Sequence, residues 1–235
     1  LRIVILDRPV AQPGNARAAA LLLRVMDLRR RGYGAEHAGH VLSFDASDLY
    51  GTHIAICHEY DNGDLIPLAA LKSVTLEMCE QLGIPLPIVP ILAASSAPEA
   101  LLAVERVIGE YRDAPDKLAY AGSWTVLPEC RGSIELLSLI LVAGMSWYRS
   151  SEAHWIAAGV LRFKTDQRMR MLGCEPITGT VNNRLLGNEP MIVMRHREYS
   201  RAALGLLEAH QSSWEDAVWL VPPDVESDGI RLGNA

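Results

Sequence analysis

The sequence predicts an α/β (α+β) domain built on a mixed sheet. Three observations carry this. Apolar residues recur with a helical period in some segments and a strand period in others, and the two kinds interleave along the chain. Asp61-Asn62-Gly63-Asp64 sits between two apolar runs and reads as a hairpin turn, which implies an antiparallel pair. Leu118 to Leu127 is apolar enough for a central strand, Pro128 stops it, and a long apolar helix follows.

Taken in order, Leu1 to Leu6 is a strand or ordered arm ending at Asp7, broken by Pro9, Pro13 and Gly14. Ala16 to Arg31 fits a helix with Leu21, Val25 and Leu28 on one side and Gly32 and Gly34 as its end. Its Arg24, Arg29, Arg30 and Arg31 cluster reads either as a solvated helix end or as a contact for an anion or carrier protein. His53 to Glu59 and Leu65 to Ala70 form the hairpin, with Pro67 marking an edge, a bulge or an irregular end. Ser73 to Leu82 is a helix closed by Gly83, and Ile84 to Pro90, with three prolines, is extended or loop.

Pro98 to Tyr111 is the next amphipathic helix. The central strand, the helix Ser133 to Arg149, the strand Ala153 to Val160 and the short charged helix Lys164 to Leu172, ended by Gly173, come after it. Ile177 to Val181 and Met191 to His196 read as the last strands, joined by the turn-rich Asn182 to Pro190. Arg201 to Glu208 is helical and Pro222 to Ala235 is a polar, frayed tail. The 235 residues therefore read as a single domain with an extra C-terminal helix and tail from about residue 200.

Composition narrows the function. The net charge of -6 argues against a general electrostatic grip on nucleic acid. Cys57, Cys79, Cys130 and Cys174 are widely spaced, form no CxxC pair and no Cys/His cluster, and read as reduced and mostly buried, with no metal site. No apolar run reaches the roughly 20 residues of a bilayer span. Ile134 to Met145 reads as a core helix, and the expected location is the cytoplasm.

The most informative segment is Trp124-Thr125-Val126-Leu127-Pro128-Glu129-Cys130-Arg131-Gly132 with the helix behind it. A strand that turns through proline into a helix start presents unpaired backbone N–H groups to an anion such as a pyrophosphate or a phosphopantetheine phosphate. Arg131 adds a guanidinium fork suited to phosphate.

This arrangement resembles the GNAT superfamily of N-acyltransferases. Val126, Pro128, Arg131 and Gly132 match the V-x-P-x-x-R-G start of its acyl-donor motif, and strand, long helix, strand, short helix and Gly173 follow in the family's order. The similarity spans roughly Arg24 to His196. It is closest to the branch of N-acyl amino acid and autoinducer (acyl-homoserine lactone) synthases, because Leu42-Ser43-Phe44-Asp45, then Asp48, then His53 precede the hairpin as they do there.

Ile134 and Leu136 stand where ordinary members have glycines, and Met169 stands where a tyrosine is common. These departures fit the synthase branch, which often takes acyl chains from acyl carrier protein, and also fit a non-catalytic relative that binds an acyl ligand or a protein. They argue against the alternative of an ordinary acyl-CoA-dependent acetyltransferase.

The resemblance implies a mixed sheet flanked by helices with splayed central strands, and an acyl (fatty acyl) group passing from acyl carrier protein or coenzyme A to a small amine such as an amino acid. The thioester is a co-substrate, with no tightly bound cofactor. It places a backbone N–H near Val126 or Leu127 on the thioester oxygen, which a strand bulge there would free. Leu127, Arg131, Gly132, Ser133 and Ile134 would line the donor site.

Glu129, His53 and Glu59 are candidate bases or amine contacts. Glu129 reads equally as a helix cap, and the other two as surface or packing residues, with His53 and Glu59 on one face of their strand. Asp45 and Asp48 would orient Arg24 or the acceptor, unless Asp48 simply closes a turn. Trp124 and Trp155 would line an acyl slot, unless they are plain core.

Overall fold

The computed structural model describes residues 1–37 and 44–222. Leu42 and Ser43 of the sequence motif, and residues 223–235 of the expected tail, lie outside the described residues. The chain resolves into two compact units. The first comprises Leu1–Ser73, Ser123–Ser150 and the segment from Leu207 onward; the second comprises Val74–Gly122 and Ser151–Leu206.

In the first unit, β1 (Arg2–Asp7), β2 (Thr52–Glu59) and β3 (Leu65–Thr75) pair antiparallel in sequence order, and β9 (Val218–Leu220) adds parallel to β1. Alternation sends Val4, Leu6, Ala55, Cys57 and Ala70 to one face, where Leu21, Val25 and Leu28 of α1 (Ala16–Glu36) cover them. Ile3, Ile5, Ile54, Ile56, Ala69 and Leu71 go to the other face, under Leu136, Leu139, Ile140 and Ala143 of α6 (Ile134–Ser150). The hairpin forms as expected, and the Pro67 irregularity is a bulge. Ile56 pairs with Ala69 and Cys57 with Pro67, so Leu68 has no partner opposite.

In the second unit, β4 (Leu118–Val126), whose last four residues belong to the first unit, pairs parallel with β5 (His154–Val160) from Leu118↔His154 to Ala121↔Ala157. There the ladder ends, although both strands continue. β8 (Glu189–His196) pairs antiparallel with β5, and both β6 (Cys174–Pro176) and β7 (Val181–Asn183) pair with β8. Val74, Leu92, Val104, Leu118, Ile156 and Val193 centre its core. They come from α4 (Ile88–Ala94), α5 (Pro98–Gly109), the strands of this sheet and the end of β3, whose last two residues belong to this unit; α3 (Leu76–Leu82) adds Leu76 and Cys79, and α7 (Thr165–Leu172) follows β5. The expected mixed α/β architecture is present.

Four elements differ from expectation. α1 continues through Gly32 and Gly34 to Glu36, because Gly32 is where the helix lies against β4: a Cβ there would come within 2.3 Å of Thr125 Cγ2. Ile84 to Pro90 is not all loop. α4 begins at Ile88, and Pro90 is tolerated because a first-turn N–H has no helical partner anyway. β3 runs on to Thr75, whose hydroxyl caps α3 by accepting from Met78 N–H at 3.1 Å, so the helix starts at Leu76 rather than Ser73. Ile177 to Thr180 is not strand; the pairing lies on either side of it.

Candidate active site

The first unit buries a charge cluster built from four elements. α2 (Ala46–Tyr50) starts with a capping box. The Asp45 side chain accepts from Ser47 N–H, and Asp48 Oδ2 accepts from Asp45 N–H at 3.0 Å. The other Asp48 oxygen, Oδ1, accepts from Lys72 Nζ at 2.8 Å and from Arg29 Nη1. Lys72 Nζ also donates to Ser47 Oγ at 2.5 Å and lies 3.7 Å from Asp45 Oδ1. His53 Nε2 donates to the Asp48 carbonyl at 2.8 Å.

Asp48 is 0% exposed, Arg29 3%, Lys72 4% and His53 1%. Burial alone would push the Asp48 carboxyl up, but Lys72 and Arg29 outweigh it and hold the group below the usual carboxylate range. Burial pushes the Lys72 ammonium down, against the pull of Asp48. Burial also pushes His53 down to about 4, so it is neutral near pH 7.

The second feature, also in the first unit, is the turn from β4 into α6. Ser123 has φ 54°, a left-handed residue inside a strand, and Thr125 Oγ1 donates to its carbonyl at 3.1 Å. Leu127 N–H donates to the carbonyl of bulged Leu68 at 2.8 Å. Pro128–Cys130 form one 3-10 turn, and Gly132 takes φ 94°, which favours glycine. Ser133 Oγ accepts from Leu136 N–H at 3.2 Å and so caps α6.

Two ion pairs tie the turn to the end of α1. Arg31 meets Glu129 at 2.8 Å and Arg131 meets Glu36 at 2.9 Å. The same Arg131 Nη2 donates to the Gly32 carbonyl at 3.0 Å.

Several expected roles change. Arg24 does not meet Asp45 or Asp48. It binds Asp64 at 2.9 Å and the Leu65 carbonyl at 2.9 Å, at the hairpin tip. Arg29 occupies the role instead, because it lies on the buried stripe of α1 and Arg24 does not. The Leu127 N–H is engaged by Leu68, so it is not a free donor for a thioester oxygen, and the strand irregularity sits at Ser123, before Val126.

His53 and Glu59 do share a face, but they are separated by about 20 Å along β2. Glu59 pairs with Arg2 and Arg17, both at 3.2 Å. His53 is sealed in the core, where it holds α2 rather than reaching an amine. Glu129 is exposed and paired with Arg31, and Ser133 does the capping. Ile134 is 81% exposed at the start of α6. Trp124 and Val126 pack against the α6-side core of the first unit. Trp155 belongs to the second unit, where it stacks on His196 with ring centroids 5.1 Å apart.

Lys72 is a residue that reading the sequence missed, and Arg29, read there as part of a solvated or anion-contacting basic run, is instead buried against Asp48. Their signal was a charge on a buried period. Arg29 lies four residues past Val25, and Lys72 shares the parity of Ala70. Among the described residues, no group of His, Cys, Asp and Glu is arranged to hold a metal ion, and no helix is long and apolar enough to cross a membrane.

Neither a known family model nor any curated protein sequence matches the chain. Solved structures do. FeeM, an N-acyl amino acid synthase from uncultured soil microbes, superposes with a TM-score of 0.51 at 13% identity, over 75% of this chain and 90% of its own. The acyl-homoserine lactone (AHL) synthase LasI gives 0.53 at 15%, over 86% and 94%. MesI, a CoA-dependent acyl-homoserine lactone synthase, gives 0.51 at 14%, over 89% and 95%. At these identities the likeness defines the fold: the chain has the fold of the GNAT-like acyltransferases.

Proposed function

We propose that this chain is an N-acyltransferase that moves an acyl group from a carrier thioester to an amine, with an amino acid as the acceptor class. The observation that carries the reading is the double use of α1. Arg29 anchors the buried Asp48 cluster, while Gly32, one helical turn or about 5 Å further on, lies against β4 and accepts from Arg131. One rigid helix thereby joins a charged, acceptor-type cluster to a phosphate-type turn.

In the reaction the amine nitrogen attacks the thioester carbonyl carbon. A C–N bond forms, the C–S bond breaks, and the proton lost by the amine ends on the leaving thiolate. Arg131, Gly132 and Ser133 face the donor's phosphate arm. Asp45, exposed beside the Lys72 ammonium, faces the acceptor. Glu129, exposed in the turn itself, is the accessible carboxylate for the proton. The His53–Asp48 contact positions α2 and takes no part in the chemistry.

The donor is favoured to be acyl carrier protein over coenzyme A. The Ser133 hydroxyl already caps α6 and Arg131 is already paired, so little of the turn is left for a pyrophosphate. The test supplies the protein with short- and long-chain acyl-CoA and acyl-carrier protein, with and without a pool of amino acids. Thiol release is followed, and products are identified by mass spectrometry. Amine-dependent release with an N-acyl product is expected. Folded protein that releases thiol from none of these donors would overturn the reading in favour of a binding domain.

A further inference from the structure

We propose that Glu36 determines donor specificity at this turn, by holding Arg131 in an ion pair that a pyrophosphate has to break. This rests on the thioester-donor reading above. Glu36 occupies the last turn of α1, where the helix dipole disfavours a carboxylate, and that turn carries no basic residue to offset it. A cation from across the fold does meet it: Arg131 Nη2 lies 2.9 Å from Glu36 Oε1 and 3.0 Å from the Gly32 carbonyl oxygen, so one nitrogen serves both a helix-end acid and a helix-end carbonyl.

Glu129 in the same turn is matched by Arg31, so the four charges at this place cancel. Coenzyme A brings a pyrophosphate and a 3′-phosphate, while the arm of a carrier protein brings a single phosphodiester. A neutralised Arg131 offers neither arm a net attraction, and the more highly charged coenzyme A, which would gain most from a free guanidinium, loses most. Glu36 thus filters donors by phosphate charge.

Coenzyme A binding is measured by titration calorimetry at low ionic strength on the wild type, Glu36→Gln, Arg131→Gln, the double variant, and Glu77→Gln as an equal change of net charge on α3. In parallel, the ratio of kcat/KM for acyl-CoA to that for acyl-carrier protein is measured, and thermal melts confirm folding. Glu36→Gln is expected to tighten coenzyme A about tenfold, to move the donor ratio toward acyl-CoA by a similar factor, and to lose this gain as salt is raised. The gain should vanish in the double variant.

An affinity equal to that of Glu77→Gln, a gain that survives Arg131→Gln, or coenzyme A binding to none of these proteins overturns the proposal. The two readings fail separately. A Glu36-dependent affinity without acyl transfer keeps the filter and removes the transferase, whereas acyl transfer with an unchanged donor ratio and affinity does the reverse.

Discussion

His53 and Lys72 stand directly opposite each other across the β2–β3 pair, and both side chains end on Asp48, one on its carbonyl and one on its carboxylate. One rung of an antiparallel ladder therefore grips both ends of the same residue. That grip gives the short helix α2 a fixed seat, which its five residues could not provide alone.

Removing the Asp48 charge should be severe. Asp48→Ala leaves the buried Arg29 and Lys72 cations uncompensated, with an expected loss of about 3–5 kcal/mol. Arg24→Ala breaks a solvent-screened pair with Asp64 and a hydrogen bond to the Leu65 carbonyl at the hairpin tip, and the expected loss is much smaller. Urea denaturation of the two variants measures the contrast. Similar small losses would mean that water reaches the cluster.

Stability should fall on mild acidification. His196 is buried, stacked on Trp155, and among the described residues neither of its ring nitrogens has a hydrogen-bond partner. Burial pushes it down to about 4. An unfolded histidine, near 6.5, takes up a proton that the folded one refuses, so this contribution is complete above that value and is lost as pH falls toward 4. Its size is about 3 kcal/mol at most, and His53 adds to it with the same sign. The Asp48 contribution, from a lowered carboxylate, is lost only at lower pH, as the solution passes below the usual carboxylate range toward the folded value. His196→Phe should leave stability near pH 7 unchanged or raised, because it removes two orphaned nitrogens. It should also reduce the drop between about pH 7 and pH 5, read from urea midpoints. An unaltered drop would assign it to other groups.

The hairpin, the central strand, its turn and α6 were legible because their signals are local: a D-N-G-D turn, a proline stop and a long apolar run. What was not legible depended on partners distant in sequence. Gly32 looks like a helix end until Thr125 lies against it. Pro87 and Pro90 look like loop until α4 begins between them. The site followed the same rule. Arg24 and Arg29 are equivalent in composition, and only the continuation of the Leu21–Val25–Leu28 stripe distinguishes the buried one. Lys72 was hidden because β3 runs past Ala70, and β9 was hidden because its pairing with β1 joins opposite ends of the chain.

Ser123 holds a left-handed backbone that an L-residue adopts at a cost of about 1 kcal/mol. Ser123→Gly should stabilise by up to about that amount, and Ser123→Val should destabilise because a β-branched residue resists this conformation. Denaturation midpoints read both. Ser123→Val should also raise KM for the thioester, because the strand segment after Ser123 must shift to relieve it.

The contact between Gly32 and Thr125 offers a test with its own rescue. Gly32→Ala should gain about 1 kcal/mol in helix propensity, yet its new methyl would lie 2.3 Å from Thr125 Cγ2. The net expectation is a loss of about 1–3 kcal/mol. Thr125→Ser deletes that methyl and keeps the hydroxyl that donates to the Ser123 carbonyl. In the double variant the nearest remaining Thr125 side-chain carbon is 3.7 Å away, an ordinary contact. Stability should therefore return to within about 1 kcal/mol of the wild type, a non-additive cycle diagnostic of direct contact. Donor affinity should fall in Gly32→Ala and recover in the double variant, since α1 seats both Arg131 and the end of β4. Additive losses would show that α1 can slide on β4, and the helix would then not be the rigid link between the charge cluster and the turn.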